Sequence, residues 1–188
     1  MSGKNMVVVL GSPRKKGNSE ILARQVIAGA EANGAKVETF RLQELNIKPC
    51  DGCGACQRKT ASGCITDDDM QLIYEKLKSA DAILIASPVY WFSVSAQTKT
   101  FIDRFYSLQG ASGNKLTGKR VGIVLTYADA TPEKSGAVNA LKMYRDIFNY
   151  LGDEIVGAVY GTAWKAGEIK TNKDLLDQAY ELGKKLAQ

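Results

Sequence analysis

Histidine is absent from the 188-residue chain. Its absence excludes catalytic systems in which a histidine activates a serine or cysteine nucleophile, and also the common zinc sites built from histidine ligands. The sequence also has no hydrophobic run that approaches the roughly 20 residues of a membrane-spanning helix. The chemistry of this chain must therefore come from tyrosine, lysine or carboxylate side chains, or from a bound cofactor.

The net charge and the hydrophobic content indicate what class of protein this is. The formal net charge of +5 is modest and is not gathered into a basic tract, so it favours a surface that tolerates anionic cofactors over one that binds nucleic acid. A hydrophobic content of 45% is enough for one core, which predicts a single domain over residues 1–188. An apolar strand begins a few residues after Met1 and leaves no room for a signal peptide, so we expect a cytoplasmic protein without membrane contact.

Apolar segments with the length of buried strands alternate with amphipathic segments of helical periodicity. Strands are predicted at residues 6–10, 36–42, 82–86, 120–125 and 154–160, and helices at about 18–34, 67–79, 94–108, 132–152 and 172–186. A long irregular stretch at about 43–66 interrupts the alternation. The pattern predicts an α/β fold with a parallel sheet covered on both faces, in which ligands bind beyond the carboxyl ends of the strands.

The segment Gly11–Ser19 links the first predicted strand to the first predicted helix. Backbone N–H groups at such a turn point towards an anion, and the helix dipole favours negative charge there. Ser12, Asn18 and Ser19 can donate hydrogen bonds, and Arg14 carries a planar cation suited to phosphate. The segment matches neither GxxxxGK[ST] nor GxGxxG, so it predicts a phosphate site but neither a P-loop nor a dinucleotide fingerprint.

Aromatic side chains follow the third predicted strand. Tyr90, Trp91 and Phe92 are consecutive, and Thr126-Tyr127 follows the fourth strand at the same predicted edge of the sheet. Such side chains can pack against a flat heteroaromatic ligand. Farther on, Asp103 and Arg104 are expected to form a structural ion pair rather than to act in catalysis.

Together, GSPRxxGNS, the PVYW segment and Lys99-x3-Asp103-Arg104 resemble the NAD(P)H-dependent FMN reductase family of flavodoxin-like proteins. The resemblance implies a three-layer α/β/α sandwich with a five-stranded parallel sheet in the order 2-1-3-4-5, with FMN as cofactor and NAD(P)H as co-substrate. It places the FMN phosphate at Ser12, Arg14, Asn18 and Ser19, and the flavin ring along Pro88, Val89, Tyr90, Trp91, Phe92 and Ser93, with Thr126 and Tyr127 at the other edge of the ring.

All four cysteines lie in the irregular stretch, as Cys50-x2-Cys53-x2-Cys56-x7-Cys64. Local clustering favours a metal or redox site over a disulfide framework, and the glycines Gly52 and Gly54 permit a tight wrap of the backbone. Thiolates at this spacing suit an iron–sulfur cluster, while zinc, free thiols or a labile disulfide remain alternatives. The segment also resembles the iron–sulfur flavoproteins within the same family, which implies a [4Fe–4S] cluster held by Cys50, Cys53, Cys56 and Cys64.

These features predict an FMN-dependent oxidoreductase that moves electrons between NAD(P)H or ferredoxin, FMN and a small acceptor such as a quinone. Its catalysis takes place at N5 of the flavin, so no catalytic side chain is assigned. The alternatives are a flavodoxin-type electron carrier without steady-state turnover and a cysteine-based redox sensor. The resemblance also implies a homodimer or homotetramer, with Trp91, Phe92 or Trp164 at a subunit contact.

Overall fold

A parallel sheet runs through the centre of the computed structural model, which describes residues 3–110 and 113–188. The strands are β1 (Asn5–Leu10), β2 (Lys36–Arg41), β3 (Ala82–Tyr90), β4 (Ser93–Val94), β5 (Gln109–Gly110), β6 (Gly113–Asn114), β7 (Arg120–Tyr127) and β8 (Glu154–Thr162). Five of them form the parallel sheet in the order β2-β1-β3-β7-β8, which confirms the predicted order 2-1-3-4-5. In addition, β4 pairs antiparallel with the end of β3, and β5 and β6 form a separate two-stranded ribbon.

Helices cover both faces of the sheet. They are α1 (Asn18–Glu31), α2 (Met70–Ser79), α3 (Ala96–Asp103), α4 (Pro132–Ser135), α5 (Ala137–Leu151) and α6 (Lys173–Leu186). Side chains of β1 alternate between two cores: Val7 and Val9 pack with α2, α3 and α5, whereas Val8 packs with α1 and α6. Because successive strand residues point to opposite faces, this alternation requires a helical layer on each side. The predicted flavodoxin-like three-layer fold is thus confirmed.

Some predicted boundaries were wrong, each for a local reason. The third strand continues past residue 86 to Tyr90 because Ser87 and Pro88 still pair with β7. The helix predicted at 94–108 is α3 followed by a 3-10 turn over Arg104–Leu108. The helix predicted at 132–152 is interrupted at Gly136, whose φ of +77° ends α4 before α5 begins.

The stretch that follows β2 carries the cysteines and has little regular structure. Within the predicted range 43–66 only short 3-10 turns occur, Leu42–Glu44 at its start and Ala55–Gln57 in its middle. In the part of the chain that the structure describes, no helix is long and apolar enough to cross a membrane.

Candidate functional site

A cleft of about 540 Å³ opens at the carboxyl edge of the parallel sheet. Four chain segments form it: the turn from β1 to α1, the end of β3, the end of β7 and the loop after β8. Its lining residues are Ser12, Arg14, Gly17, Asn18, Ser19, Pro88, Val89, Tyr90, Thr126, Tyr127, Ala128, Ala163, Trp164, Lys165 and Ala166. The cleft lies where ligands of open α/β sheets bind, and three of the four segments are those that the sequence predicts.

The turn from β1 to α1 presents the start of a helix to the cleft. The N–H of Gly11 donates to Ala86 O (2.8 Å), which fixes the start of the turn to β3. Ser95 Oγ donates to Gly11 O (2.7 Å) and ties the same point to the first turn of α3. The first N–H groups of α1 have no acceptor within the helix, so they are free to meet an anion in the cleft. Arg14 is exposed beside them and supplies a cation to the cleft.

Glu20 lies beneath this turn and was missed at the sequence level. Its side chain is 1% exposed, and its carboxylate accepts hydrogen bonds from Arg24 Nη2 (2.7 Å) and from the backbone N–H of Lys16 (2.7 Å). Arg41 Nη2 also lies 2.7 Å from Glu20 Oε1. Burial disfavours the charged form, but the hydrogen bonds from Arg41 and Arg24 outweigh it and lower the pKa of Glu20 to about 2. The local signal was a glutamate in the first helical turn with an arginine four residues later.

Asn18 is in the cleft, but its side chain has other partners than the predicted phosphate. Its Nδ2 donates to Ala163 O (3.3 Å) and Lys165 O (2.9 Å), and its Oδ1 accepts from the N–H of Ile169 (3.3 Å). Asn18 does not cap α1 either, because Gly17 occupies the N-cap position, without a side-chain hydrogen bond. Asn18 therefore fixes the loop after β8 against α1.

That loop forms the fourth wall of the cleft, which the sequence did not predict. Glu168 Oε2 accepts from the N–H groups of Trp164 (2.8 Å) and Lys165 (2.7 Å), so the loop is fixed at both ends. The Trp164 side chain lines the cleft while remaining 73% exposed. A large indole surface is thus open at the mouth of the cleft, where it can cover a planar ligand.

The aromatic segment after the predicted third strand is a β-hairpin. Tyr90 pairs with Ser93 across it, and Trp91 and Phe92 form its tip with positive φ values of 46° and 64°. Such φ values suit the two-residue turns of hairpins but are uncommon for large side chains. The tip is held by Asn139, whose Nδ2 donates to Phe92 O (3.3 Å).

The hairpin brings only some of the predicted ring contacts into the cleft. Pro88, Val89 and Tyr90 line the cleft, but Trp91, Phe92 and Ser93 do not, because the turn carries them beyond it. Trp91 is 92% exposed at the tip.

Thr126 and Tyr127 are the last residues of β7, not a loop after it, and both are buried at the base of the cleft. Burial raises the pKa of the Tyr127 hydroxyl above its ordinary value. The remaining predicted phosphate contacts, Ser12 and Ser19, are buried in the lining, and Ser12 Oγ accepts from the N–H of Arg14 (3.1 Å). The first turn therefore contributes backbone, hydroxyl and guanidinium groups to one end of the cleft.

The four cysteines line one small hollow of about 20 Å³, away from the cleft. Cys50 and Cys53 are exposed, Cys56 and Cys64 are half-buried, and all four are free thiols. Gly52 and Gly54 have φ values of 70° and 67°, as the predicted wrap of the backbone requires. Among residues 3–110 and 113–188, no three potential ligands converge closely enough to hold a single metal ion.

A buried ion pair closes the inner side of this hollow. Arg104 Nη1 lies 2.5 Å from Asp68 Oδ2, and both side chains are at most 1% exposed. Arg104 also donates from Nη1 to Lys48 O (2.8 Å) and from Nη2 to Cys64 Sγ (3.4 Å). The expected pairing of Arg104 with Asp103 was wrong, because Asp103 pairs with Lys99 on the surface of α3 instead.

The ion pair affects the ionisation of both neighbouring acids. Burial raises the pKa of the Asp68 carboxyl, but hydrogen bonds from Arg104 and from the Lys48 N–H outweigh this and lower it overall. The pKa of the Cys64 thiol is likewise lowered, since hydrogen bonds from Thr66 and Arg104 exceed the effect of burial. The hollow thus favours a thiolate at Cys64.

The sequence model of the family described as "NADPH-dependent FMN reductase" matches residues 5–166. The chain belongs to this family. The predicted enzyme class, an FMN-dependent NAD(P)H oxidoreductase, is confirmed at the level of the family. The family description implies FMN as the cofactor. The cleft fits FMN, because the turn from β1 to α1 offers hydrogen-bond donors for a phosphate and the walls carry the flat side chains of Tyr90 and Trp164.

Two relatives of this FMN reductase family member are named iron-sulfur flavoproteins. An "Iron-sulfur flavoprotein" of Archaeoglobus fulgidus is 34% identical over 184 residues, which cover 97% of this chain and 78% of the relative. An iron-sulfur flavoprotein of Methanocaldococcus jannaschii is 31% identical over 188 residues, which cover 97% of this chain and 95% of the relative. The resemblance to iron–sulfur flavoproteins within the family is thereby confirmed.

Solved structures with the same fold are more distant in sequence. The NAD(P)H:quinone oxidoreductase from Methanothermobacter marburgensis superposes with a TM-score of 0.74 at 14% identity, covering 98% of each chain. An FMN-dependent NADH-azoreductase from Bacillus anthracis, in complex with FMN, gives 0.71 at 16% identity, covering 98% of this chain and 100% of that one. At these identities the superpositions show the shared fold alone.

Proposed function

We propose that this chain is an iron–sulfur flavoprotein, in which FMN fills the cleft at the sheet edge and the four cysteines hold a [4Fe–4S] cluster. It would take electrons from NAD(P)H or from ferredoxin and pass them to a small acceptor such as a quinone. The observation that carries the proposal is the meeting of four strand-end segments in one cleft at the start of α1. FMN, when bound, supplies the hydride and electron chemistry itself.

The residues of the cleft would bind and orient this cofactor. The turn from Ser12 to Ser19 would hold the phosphate with backbone N–H groups and Arg14. Val89 and Tyr90 would lie along one side of the ring system and Trp164 would exclude water from another. The Tyr127 hydroxyl would be available as a hydrogen-bond donor at the base. None of these roles requires a general base, which agrees with a chain that lacks histidine.

Two observations support a cluster in this hollow. Four free thiols line it, and side-chain N–H groups of Gln57 and Arg104 donate to the sulfurs of Cys56 and Cys64. Two relatives are named iron-sulfur flavoproteins. Because the hollow holds only about 20 Å³, the exposed segment with Cys50 and Cys53 would have to move outward to admit the cluster.

A visible absorption spectrum of anaerobically prepared protein, with iron and acid-labile sulfide assays on the same sample, tests this proposal. We expect flavin bands, a broad absorbance near ~400 nm and about four irons per chain. Flavin bands without iron or sulfide, even after reconstitution, would remove the cluster and leave an FMN reductase. Replacing all four cysteines by serine should abolish iron binding but keep FMN binding, since the cleft contains no cysteine.

Steady-state assays test the catalytic part. With an NAD(P)H substrate and a soluble quinone we expect continuous turnover, whereas a flavodoxin-type carrier would show almost none. NADH and NADPH, each with and without the quinone, give the four arms of the assay. Turnover that needs reduced ferredoxin in place of NAD(P)H would shift the proposal towards the second electron donor.

We also propose that the chain forms a homodimer or homotetramer. At the tip of the hairpin, Trp91 is 92% exposed and Phe92 is 54% exposed, although α5 contacts one side of the tip through Asn139. Exposed aromatic side chains of this size are enriched in interfaces. Light scattering at micromolar concentration should give at least twice the chain mass of 20.4 kDa, and Trp91→Ser with Phe92→Ser should reduce it.

A further inference from the structure

Glu20 is an unusual residue to find under an anion-binding turn. Its carboxylate is negative, almost fully buried and part of the same helical turn whose N–H groups face the cleft. A negative charge here would by itself repel a phosphate. Its presence therefore calls for a role other than direct contact with the ligand.

The hydrogen bonds show what the carboxylate does. Oε2 accepts from the N–H of Lys16 at 2.7 Å, and Oε1 accepts from Arg24 Nη2 at 2.7 Å and Nε at 3.1 Å. Arg41, from the end of β2, lies 2.7 Å from the same Oε1. Both carboxylate oxygens are thus engaged, and two guanidinium groups balance the charge.

Lys16 is the residue in the turn that needs such support. Its φ of 58° lies in the left-handed region, which is unfavourable for a side chain other than glycine, asparagine or aspartate. A glutamate in the third helical position usually reaches back to the N–H of the N-cap residue, but Glu20 reaches one residue farther, to Lys16 before the N-cap Gly17. The hydrogen bond therefore holds the strained residue of the turn in place.

We propose that Glu20 is the positioning residue of the phosphate turn: its carboxylate, fixed by Arg24 and Arg41, holds Lys16 in the left-handed conformation that aims the turn's N–H groups at the FMN phosphate. The inference rests on the proposed binding of FMN in the cleft. It extends that proposal by assigning the preorganisation of the phosphate end to a residue that does not touch the ligand.

Removing the charge of Glu20 tests this inference, because a purely electrostatic role and a positioning role predict opposite changes in the affinity for FMN. If Glu20 acts only as a nearby negative charge, Glu20→Gln should strengthen FMN binding. If it positions the turn, Glu20→Gln should weaken FMN binding about tenfold or more, since a glutamine cannot accept both from Lys16 and from the arginines. The control is Glu38→Gln, which also neutralises a carboxylate in an ion pair, but the partner of Glu38 is Lys76 on the surface and neither residue belongs to the Glu20 network.

Riboflavin, which lacks the phosphate, separates positioning from general damage to the fold. We expect Glu20→Gln to weaken FMN binding while the affinity for riboflavin stays within about twofold, as measured by fluorescence titration. Equal losses for both ligands, or unchanged FMN affinity, would overturn the inference. A wild-type chain that binds neither ligand would instead overturn the proposed function.

A second pair of variants applies if Glu20→Gln does not fold. Lys16→Val and Lys16→Gly remove the same exposed charge, but a β-branched valine resists a φ of 58° and a glycine accepts it. We expect Lys16→Val to lose FMN affinity selectively over riboflavin and Lys16→Gly to bind FMN at least five times more tightly than Lys16→Val. Equal FMN affinities of the two variants would show that the conformation of the turn does not matter, and would overturn the inference.

Discussion

Asp68→Asn is the substitution with the clearest expected effect on stability. The Asp68 carboxylate is 0% exposed and accepts from Arg104 Nη1 (2.5 Å), Lys48 N–H (2.9 Å) and Met70 N–H (3.1 Å). These contacts join the cysteine segment, the start of α2 and the 3-10 turn after α3. An asparagine would leave the buried Arg104 cation without its carboxylate partner. Breaking a buried pair in this way lowers the free energy of unfolding by about 3–5 kcal/mol.

The matched control is Asp103→Asn. This change also removes one acidic charge from an ion pair, but the pair with Lys99 is exposed on α3. An exposed pair is worth at most about 1 kcal/mol. In urea denaturation at pH 7, the free energy of unfolding of Asp68→Asn should therefore be at least ~2 kcal/mol lower than that of Asp103→Asn. Both variants should keep the m-value of the wild type.

The pH dependence gives an independent check. Because the pKa of Asp68 is lowered in the folded state, its contribution to stability is present above about pH 4, the unfolded value, and is lost as the pH falls through the folded value. The difference between wild type and Asp68→Asn should shrink below about pH 4. Asp68→Leu combined with Arg104→Met, which removes both charges, should recover much of the loss. If Asp68→Asn costs no more than Asp103→Asn, the buried pair does not stabilise the cysteine hollow and the reasoning fails.

Other predictions concern the far end of the sheet and the cleft. Burial raises the pKa of Asp153 from its ordinary value of 3.8 to about 6, so its contribution to stability is full below about pH 4 and falls by up to ~3 kcal/mol as the pH rises through 6. Asp153→Asn should therefore flatten the loss of stability between pH 4 and 6 in urea titrations, and an unchanged slope would contradict the assignment. A Cβ at Gly11 would collide with Thr98 Oγ1, so Gly11→Ala should lower stability by about 1–3 kcal/mol, and Thr98→Ala should restore part of it in thermal melts. Trp164→Ala should weaken FMN binding about three- to tenfold, whereas Trp91→Ala should leave it within about twofold; the reverse order would contradict the lining of the cleft.

Local patterns were enough to predict the framework. Buried apolar strands such as Val7–Val9 alternate with amphipathic helices, and a parallel sheet follows because such strands must be covered on both faces. The position of the cleft followed from the same logic, since the carboxyl ends of parallel strands share one edge. Gly52 and Gly54 adopt the positive φ values that glycine permits.

Side-chain partners could not be predicted in this way, because they depend on contacts between residues far apart in the chain. Asn18 looks like a helix cap and phosphate ligand, yet its amide is used by a loop some 145 residues later. Arg104 has an acidic neighbour in sequence, but it points inward to Asp68, 36 residues earlier, while Asp103 points outward along α3.

The sequence by itself determined the parallel sheet and the edge at which FMN is proposed to bind, because these depend on hydrophobic periodicity and on residues adjacent along the chain. The order of the strands came from the resemblance to the family. Tertiary structure alone decided which aromatic ring lines the cleft: the hairpin turns Trp91 away, and the fixed loop after β8 brings in Trp164. It also decided that Glu20 is buried beneath the turn from β1 to α1 with Arg41 as a partner, since Arg41 reaches its carboxylate only when β2 pairs beside β1. Periodicity specifies which face of an element is buried, but the packing of separate elements specifies which side chains meet there.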